Sequence, residues 1–137
     1  MNRTQLQQLA EEREHDAHTL LNGGRWSGAY YLAGYAVECG LKACIARRIN
    51  QDDFPDKELA VKCYTHKIQV LVKLAELETI RVADMILNPA LGKSWQIVKD
   101  WDEEARYQPW TELQARKTIA SVADIANGVL PWIKLRW

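Results

Sequence analysis

Apolar residues recur at helical spacing along almost the whole chain, and nowhere do they alternate for long with the period of a strand. The segment from Thr4 to Leu21 predicts a first helix, because its leucines and alanines lie three or four residues apart. Thr4 and Gln7 fit a capping box, and the stretch Asn22-Gly23-Gly24 supplies a stop signal. Both ends of this helix are therefore marked in the sequence.

The clearest helical pattern runs from about Trp26 to Ile49 and predicts the central helix of a bundle, since it is apolar over most of its circumference. Small residues such as Ala33 and Gly40 let neighbouring helices approach it closely. A line of larger and polar side chains runs along an adjacent face: Tyr31, Tyr35, Glu38 and Lys42.

The rest of the chain predicts shorter helices, separated by polar or proline-containing connections. We expect a loop over Gln51–Lys57 and helices over Thr65–Leu77, Ile80–Leu87 and Trp95–Trp101, with Asn88-Pro89 and Arg106–Trp110 as breaks. A last long helix begins near Thr111 and is kinked or ended late by Pro131. Its expected buried positions are Ile119, Val122, Ala126, Val129 and Ile133. The pattern thus predicts one all-α domain over residues 1–137.

Composition narrows the function. The charges of the 18 basic and 18 acidic side chains cancel, and the pI is near 6.8. A protein that binds duplex DNA specifically would carry an excess of basic residues, so this function is not expected. No apolar run approaches the ~18 residues that span a bilayer, and no signal-peptide pattern follows Met1, so we expect a cytoplasmic protein without membrane association. Cys39, Cys44 and Cys63 lack metal-binding or redox spacing and are expected to be small buried hydrophobes.

Residues 24–43 resemble the signature helix of HEPN proteins, the higher eukaryotes and prokaryotes nucleotide-binding domain, in which a helix rich in small residues ends in a Glu-x-x-x-Lys step, here Glu38 to Lys42. Residues 64–68 are similar to that family's third helix, which begins with a histidine, here His66. The pair Trp95 and Trp101, followed by Arg106-Tyr107, is similar to its tryptophan-rich approach to an Arg-Tyr pair.

This resemblance covers about Leu9 to Ile125 and implies an up-and-down bundle of four or five helices, usually dimeric. It also implies a partnership with a minimal nucleotidyltransferase in toxin–antitoxin or defence modules. No cofactor or metal is implied, and the three histidines are too scattered for a metal site.

Many HEPN proteins are metal-independent ribonucleases that use an arginine followed, after four to six residues, by a histidine near the start of a late helix. Histidine moves the proton of the RNA 2′-hydroxyl and arginine stabilises the phosphate charge. No histidine follows Arg106 or Arg116. The bare pattern occurs once, at Arg13 and His18 on the first helix, and the alternative interpretation of this pair is an amphipathic helix with a solvated histidine.

A second candidate site combines Glu38 and Lys42 with His66, Arg106 and Tyr107, if the bundle brings them together. Arg106 and Lys42 would then bind a phosphate, His66 and Tyr107 would donate hydrogen bonds, and Glu38 would orient the cations or meet a ribose hydroxyl. The alternatives are a simple intrahelical ion pair, a histidine that bonds a helix-end carbonyl or a carboxylate, and an Arg-Tyr pair that fastens the connection.

Six tryptophans are many for this length. Trp110, Trp132 and Trp137 crowd the last quarter of the chain, and we expect at least one of them to lie in a homodimer interface. A covered end of the bundle is the alternative.

Three functions remain open: a non-catalytic HEPN module that binds a nucleotide or RNA and a nucleotidyltransferase, a HEPN ribonuclease toxin with a displaced motif, and a purely structural dimeric bundle. The missing late histidine and the neutral charge favour the first over the second. Whether the chain is an enzyme stays open, with binding as the expectation.

Overall fold

The computed structural model describes residues 1–49, 52–54 and 56–137, and the regular secondary structure within these ranges is entirely helical. The α-helices are α1 (Arg3–Asn22), α2 (Trp26–Arg48), α3 (Lys57–Lys62), α4 (Ile68–Leu74), α5 (Glu78–Leu87), α6 (Pro89–Val98), α7 (Glu112–Ala123) and α8 (Val129–Lys134), with a 3-10 helix over Glu103–Tyr107 between α6 and α7. The predicted all-α class is confirmed. Within the described ranges, none of these helices is both long and apolar enough to cross a membrane.

Helix α2 lies at the centre of the fold, as predicted. It packs along α1 and also contacts α4, α7, α8 and the 3-10 helix. Because only Gly23–Arg25 connects α1 to α2, the two helices form an antiparallel pair. The tight connection is possible because Gly24 adopts a φ of +75°, which residues with a side chain rarely adopt. Twelve residues of α2 are buried, which accounts for its nearly continuous apolar character.

The predicted cap of the first helix is wrong by two residues. Asn2, not Thr4, is the N-cap: its side chain accepts a hydrogen bond from the backbone N–H of Gln5 at 2.9 Å, and the Gln5 side chain accepts one from the Asn2 N–H. Asparagine is among the most favourable capping residues, so two adjacent capping boxes competed and the earlier one formed. A helix was predicted to begin near Thr111, and this residue is the N-cap of α7 and forms a capping box with Gln114.

The predicted helix over Thr65–Leu77 is shorter than expected, because α4 begins only at Ile68. Helix α3 precedes it and was not predicted: the side chain of Asp56 accepts hydrogen bonds from the N–H groups of Glu58 and Leu59. Of the loop expected over Gln51–Lys57, residues 51 and 55 lie outside the described residues, and Lys57 begins α3.

The Asn88-Pro89 step was predicted as a break, and it both ends α5 and begins α6. The Asn88 side chain accepts a hydrogen bond from the Leu91 N–H at 3.3 Å, and Pro89 occupies the first helical position, where no N–H is needed. Helix α6 therefore begins before the Trp95–Trp101 segment in which a helix was predicted. It ends at Val98 and leaves Trp101 in the connection to the 3-10 helix.

The single long helix predicted after Thr111 is wrong, because the chain breaks between α7 and α8. Asp124 ends α7: its side chain accepts a hydrogen bond from the Asn127 N–H at 2.8 Å, and its carbonyl accepts one from the Gly128 N–H at 2.8 Å. Ala126, expected to be buried, lies in this turn and is exposed. Pro131 falls in the first turn of α8, where a missing N–H costs little.

We expect Gly34→Ala to lower the free energy of unfolding by about 1–3 kcal/mol, because a Cβ at this position would lie 2.2 Å from Cδ1 of the Trp101 ring. Urea denaturation followed by circular dichroism measures the change.

Gly92→Ala in α6 is the matched control. Its nearest atoms would be the Met85 carbonyl oxygen at 3.4 Å and the Met85 Cβ at 3.6 Å, so the added methyl group fits. This variant is expected to gain about 0.5–1 kcal/mol from helix propensity. Equal stability of the two variants would contradict the packing of Trp101 on Gly34.

Candidate functional site

Glu38, Lys42 and His66 form a compact polar cluster on α2. The carboxylate of Glu38 has only 3% of its side-chain surface exposed, although the residue is charged. Its Oε1 accepts a hydrogen bond from Lys42 Nζ at 2.8 Å and lies 2.9 Å from His66 Nδ1. We place a hydrogen on Nδ1 because it faces a carboxylate oxygen. The structure thus brings together three of the five residues predicted to bind a ligand.

Helix α2 and the segment before α4 position the three residues of the cluster. Glu38 and Lys42 lie one turn apart on α2, which is the spacing at which helical side chains meet. His66 lies two residues before α4, in the segment that follows α3, and not at the head of a long third helix. Its side chain is 42% exposed and that of Lys42 is 21% exposed, so both side chains reach the surface beside a buried carboxylate.

A row of tyrosines continues the same side of α2 towards its N-terminus. The rings of Tyr31 and Tyr35 stack with their centroids 6.1 Å apart and their planes 4° apart. Burial, followed by the charges of Cys39 and Glu38, raises the pKa of the Tyr35 hydroxyl. Tyr31 also packs against Trp101, with centroids 5.7 Å apart. The row therefore connects the polar cluster to the segment after α6.

Arg106 and Tyr107 lie at the far end of this row and not in the cluster. The Arg106 guanidinium lies 4.8 Å from the centroid of the Tyr107 ring. Hydrogen bonding to Tyr107, and more weakly to Tyr31, raises the pKa of Arg106. Tyr31 and Glu38 are seven residues apart, so their backbones are separated by ~10 Å along the axis of α2. Arg106 forms no ion pair with a carboxylate in the part of the chain that the structure describes.

Arg13 and His18, the candidates for a displaced ribonuclease motif, do not converge. Five residues along a helix correspond to a rotation of ~140°, which points the two side chains in different directions. Arg13 bonds Asp16 on its own helix, whereas His18 borders a shallow groove formed with Arg116 and Ile119 of α7. The structure therefore gives this pair no shared site within one chain.

The three tryptophans assigned to an interface all have contacts within the chain. Trp110 stacks on Tyr30 with centroids 3.7 Å apart, and its Nε1 donates to the Ala105 carbonyl at 2.9 Å. Trp132 is buried, and its Nε1 donates to Asp84 Oδ2 at 2.9 Å. Trp137 is half-buried, with Lys134 over its ring. Their role in a dimer stays a prediction.

Sequence reasoning missed two polar features. Trp101 was noted only as part of the motif with Trp95, yet its buried Nε1 has no hydrogen-bond partner among the described residues. Asp84 was not singled out, yet its Oδ2 accepts from both Trp132 and Arg136, the latter at 2.8 Å. The Asp84 contacts have no local sequence signal, because Asp84 lies 48 residues from Trp132 and 52 from Arg136.

Among the described residues, no group of three His, Cys, Asp or Glu side chains is placed to hold a metal ion.

Comparisons of the chain with protein-family models, with curated proteins and with solved structures found no match. The functional evidence is therefore the arrangement of side chains itself, in which a buried carboxylate holds a lysine and a histidine, and an exposed arginine lies apart from them.

Thiol reactivity tests the surroundings of the cluster. Burial raises the pKa of both the Cys39 and the Cys44 thiol to about 11, with the charge of Glu38 as the second cause at Cys39. Cys63 is half-buried, and burial raises the pKa of its thiol as well. Because the thiolate is the reactive form, we expect an aromatic disulfide reagent at pH 8 to modify Cys63 first, and Cys39 and Cys44 only after unfolding.

In 6 M guanidinium the three thiols are expected to react at similar rates, which serves as the control. Rates in the folded protein rise with pH as thiolate forms. Modification of Cys39 as fast as Cys63 in the folded protein, shown by mass spectrometry of the labelled peptides, would contradict the buried environment beside Glu38.

Proposed function

We propose that this chain is a HEPN-like module that binds a nucleotide or the end of an RNA without cleaving it, and that it acts with a minimal nucleotidyltransferase in a toxin–antitoxin or defence system. The observation that carries the binding part of this proposal is the Glu38, Lys42 and His66 cluster. Holding a carboxylate at 3% exposure costs free energy, and a purely structural helix would avoid that cost with an apolar residue. The partner and the system rest on the family resemblance alone.

The ligand has to be larger than a single phosphate. Lys42 and His66 are already bonded to Glu38, whereas the guanidinium of Arg106 is exposed and stacked on a tyrosine ring. We assign the phosphate to Arg106, because this guanidinium forms no ion pair among the described residues and its fork of N–H groups suits bidentate binding. A nucleotide bound in this way spans the ~10 Å of α2 between Tyr31 and Glu38, with its sugar or base beside the cluster. His66 Nε2 can accept a hydrogen bond there, because its Nδ1 is fixed on Glu38.

Binding is favoured over ribonuclease chemistry by the positions of the histidines. Metal-independent cleavage needs a histidine and an arginine on one phosphate. His66 and Arg106 reach α2 two turns apart, and Arg13 and His18 point in different directions. None of these pairs satisfies the requirement within one chain.

A homodimer is part of the proposal. Trp132 is 6% exposed and can contribute little to an interface, so the accessible edges of Trp110 and Trp137 are the remaining candidates of the three. Analytical ultracentrifugation of the purified protein at micromolar concentration measures its oligomeric state. A monomer would contradict this part of the proposal.

The binding test uses Arg106→Ala. We expect the variant to bind ribonucleoside triphosphates, or a short single-stranded RNA with a 5′-phosphate, about ten- to a hundredfold more weakly, because a charge-assisted hydrogen bond to phosphate is lost. Isothermal titration or fluorescence anisotropy gives the Kd. Arg116→Ala is the matched control, since Arg116 is also exposed but is paired with Glu112 on α7, and its affinity is expected to be unchanged.

Equal binding by Arg106→Ala and wild type would exclude the phosphate role of Arg106. If His66→Ala also bound equally, or if no probe bound the wild type, the chain would be a structural bundle and the proposed site would be wrong.

Cleavage is tested separately by incubating the protein with RNA in EDTA, beside His18→Ala, His66→Ala and Arg106→Ala. We expect intact RNA in all four reactions. Cleavage by the wild type that one variant abolishes would make the protein a nuclease and would identify the residue responsible.

A further inference from the structure

Two side chains in the core each have one polar atom without a hydrogen-bond partner among the described residues. These atoms are Glu38 Oε2 and Trp101 Nε1, and both are shielded from solvent. The carboxylate oxygen accepts and the indole N–H donates. Because buried polar groups in folded proteins are nearly always paired, each atom calls for a partner of opposite character.

The position of the indole is fixed by Gly34. A Cβ built on Gly34 would lie 2.3 Å from Trp101 Nε1 and 2.2 Å from its Cδ1, so the pyrrole edge of the ring rests on the bare backbone of α2. The Tyr31 ring, one turn earlier on the helix, covers the indole at 5.7 Å between centroids. Trp101 Nε1 is thereby held against one face of α2.

Glu38 follows Gly34 by four residues and so lies on that same face, one turn further along. Cβ positions at this spacing are ~5–6 Å apart, and helical side chains lean towards the N-terminus, which here means towards Gly34 and the indole. Lys42 and His66 both approach Oε1, at 2.8 and 2.9 Å. Oε2 is the oxygen that remains for the indole side.

We propose that one buried water molecule bridges Trp101 Nε1 and Glu38 Oε2, accepting a hydrogen bond from the indole and donating one to the carboxylate. A hydroxylic molecule is the chemical class that fits, because it both accepts and donates. A chloride ion has no hydrogen to give to Oε2, and a sodium ion would face the positive end of the N–H bond. The bare backbone of Gly34 lets the indole approach α2 on the face that carries Glu38.

The bridge makes Trp101 a positioning residue for Glu38. It links the segment after α6 to the carboxylate that holds Lys42 and His66, and it explains why a tryptophan, whose N–H points into the core, lies at this place. The inference does not depend on the proposed function, since it concerns two atoms within the fold.

Nuclear magnetic resonance tests the presence of the bridging water in solution. With indole resonances assigned through Trp101→Phe and Trp132→Phe, we expect the Trp101 Hε1 to show a cross-peak to long-lived water. The Trp132 Hε1 is the internal control: it donates directly to Asp84 Oδ2 at 2.9 Å and is expected to show none.

Two matched variants assign the acceptor. Glu38→Gln is expected to shift the Trp101 Hε1 upfield and leave the Trp132 Hε1 in place, and Asp84→Asn to do the reverse. Lys42→Met removes a cation but keeps the carboxylate, so the water cross-peak of Trp101 is expected to remain. A Trp101 Hε1 that does not respond to Glu38→Gln would overturn the bridge.

A crystal structure of the wild type gives a test that needs no variant to fold. We expect an ordered water within ~3.2 Å of both Nε1 and Oε2. A direct bond between the indole and the carboxylate, or a dry contact, would overturn the proposal.

Discussion

The close approach of the other helices to α2 is the constraint on which the rest of the structure depends. Small residues make it possible: the Trp101 ring lies directly on Gly34, and side chains of α8 come within 3.1 Å of where a Cβ would stand at Gly40. Because neighbours pack on α2 from several sides, most positions along it are buried. A polar residue on this helix can keep its charge only where a partner reaches it.

Glu38 meets that condition through one local and one distant partner. Lys42 comes from the same helix and would be present even in an isolated α2, whereas His66 arrives only when the segment before α4 docks. Removing either partner leaves a buried carboxylate less well satisfied, which costs more than the pair itself contributes. The cluster therefore ties the docking of α4 to the central helix, in addition to any ligand that it binds.

Short-range sequence patterns predicted the features that depend on interactions between residues close together in the chain. The bounds of α2, the start of a helix near Thr111 and the Glu38–Lys42 pair all follow from spacings of three or four residues. The errors arose where two local solutions competed, as with the caps at Asn2 and Thr4, or where a short polar turn broke a helical pattern, as at Asp124. The separation of Arg106 from the cluster and the unpaired Trp101 Nε1 depend on how distant segments dock, which spacing along the chain does not record.

The geometry of His66 is the structural basis on which we propose binding in preference to catalysis. A carboxylate that holds Nδ1 leaves Nε2 as the half-exposed nitrogen, an orientation that also serves general bases in hydrolases. A base alone does not cleave RNA, because the developing charge on the phosphate needs a cation at the same phosphorus. Lys42 is bonded to Glu38 itself, and Arg106 bonds Tyr31, whose backbone lies ~10 Å from that of Glu38 along the axis of α2. In the proposed function, His66 therefore recognises a hydroxyl group through Nε2.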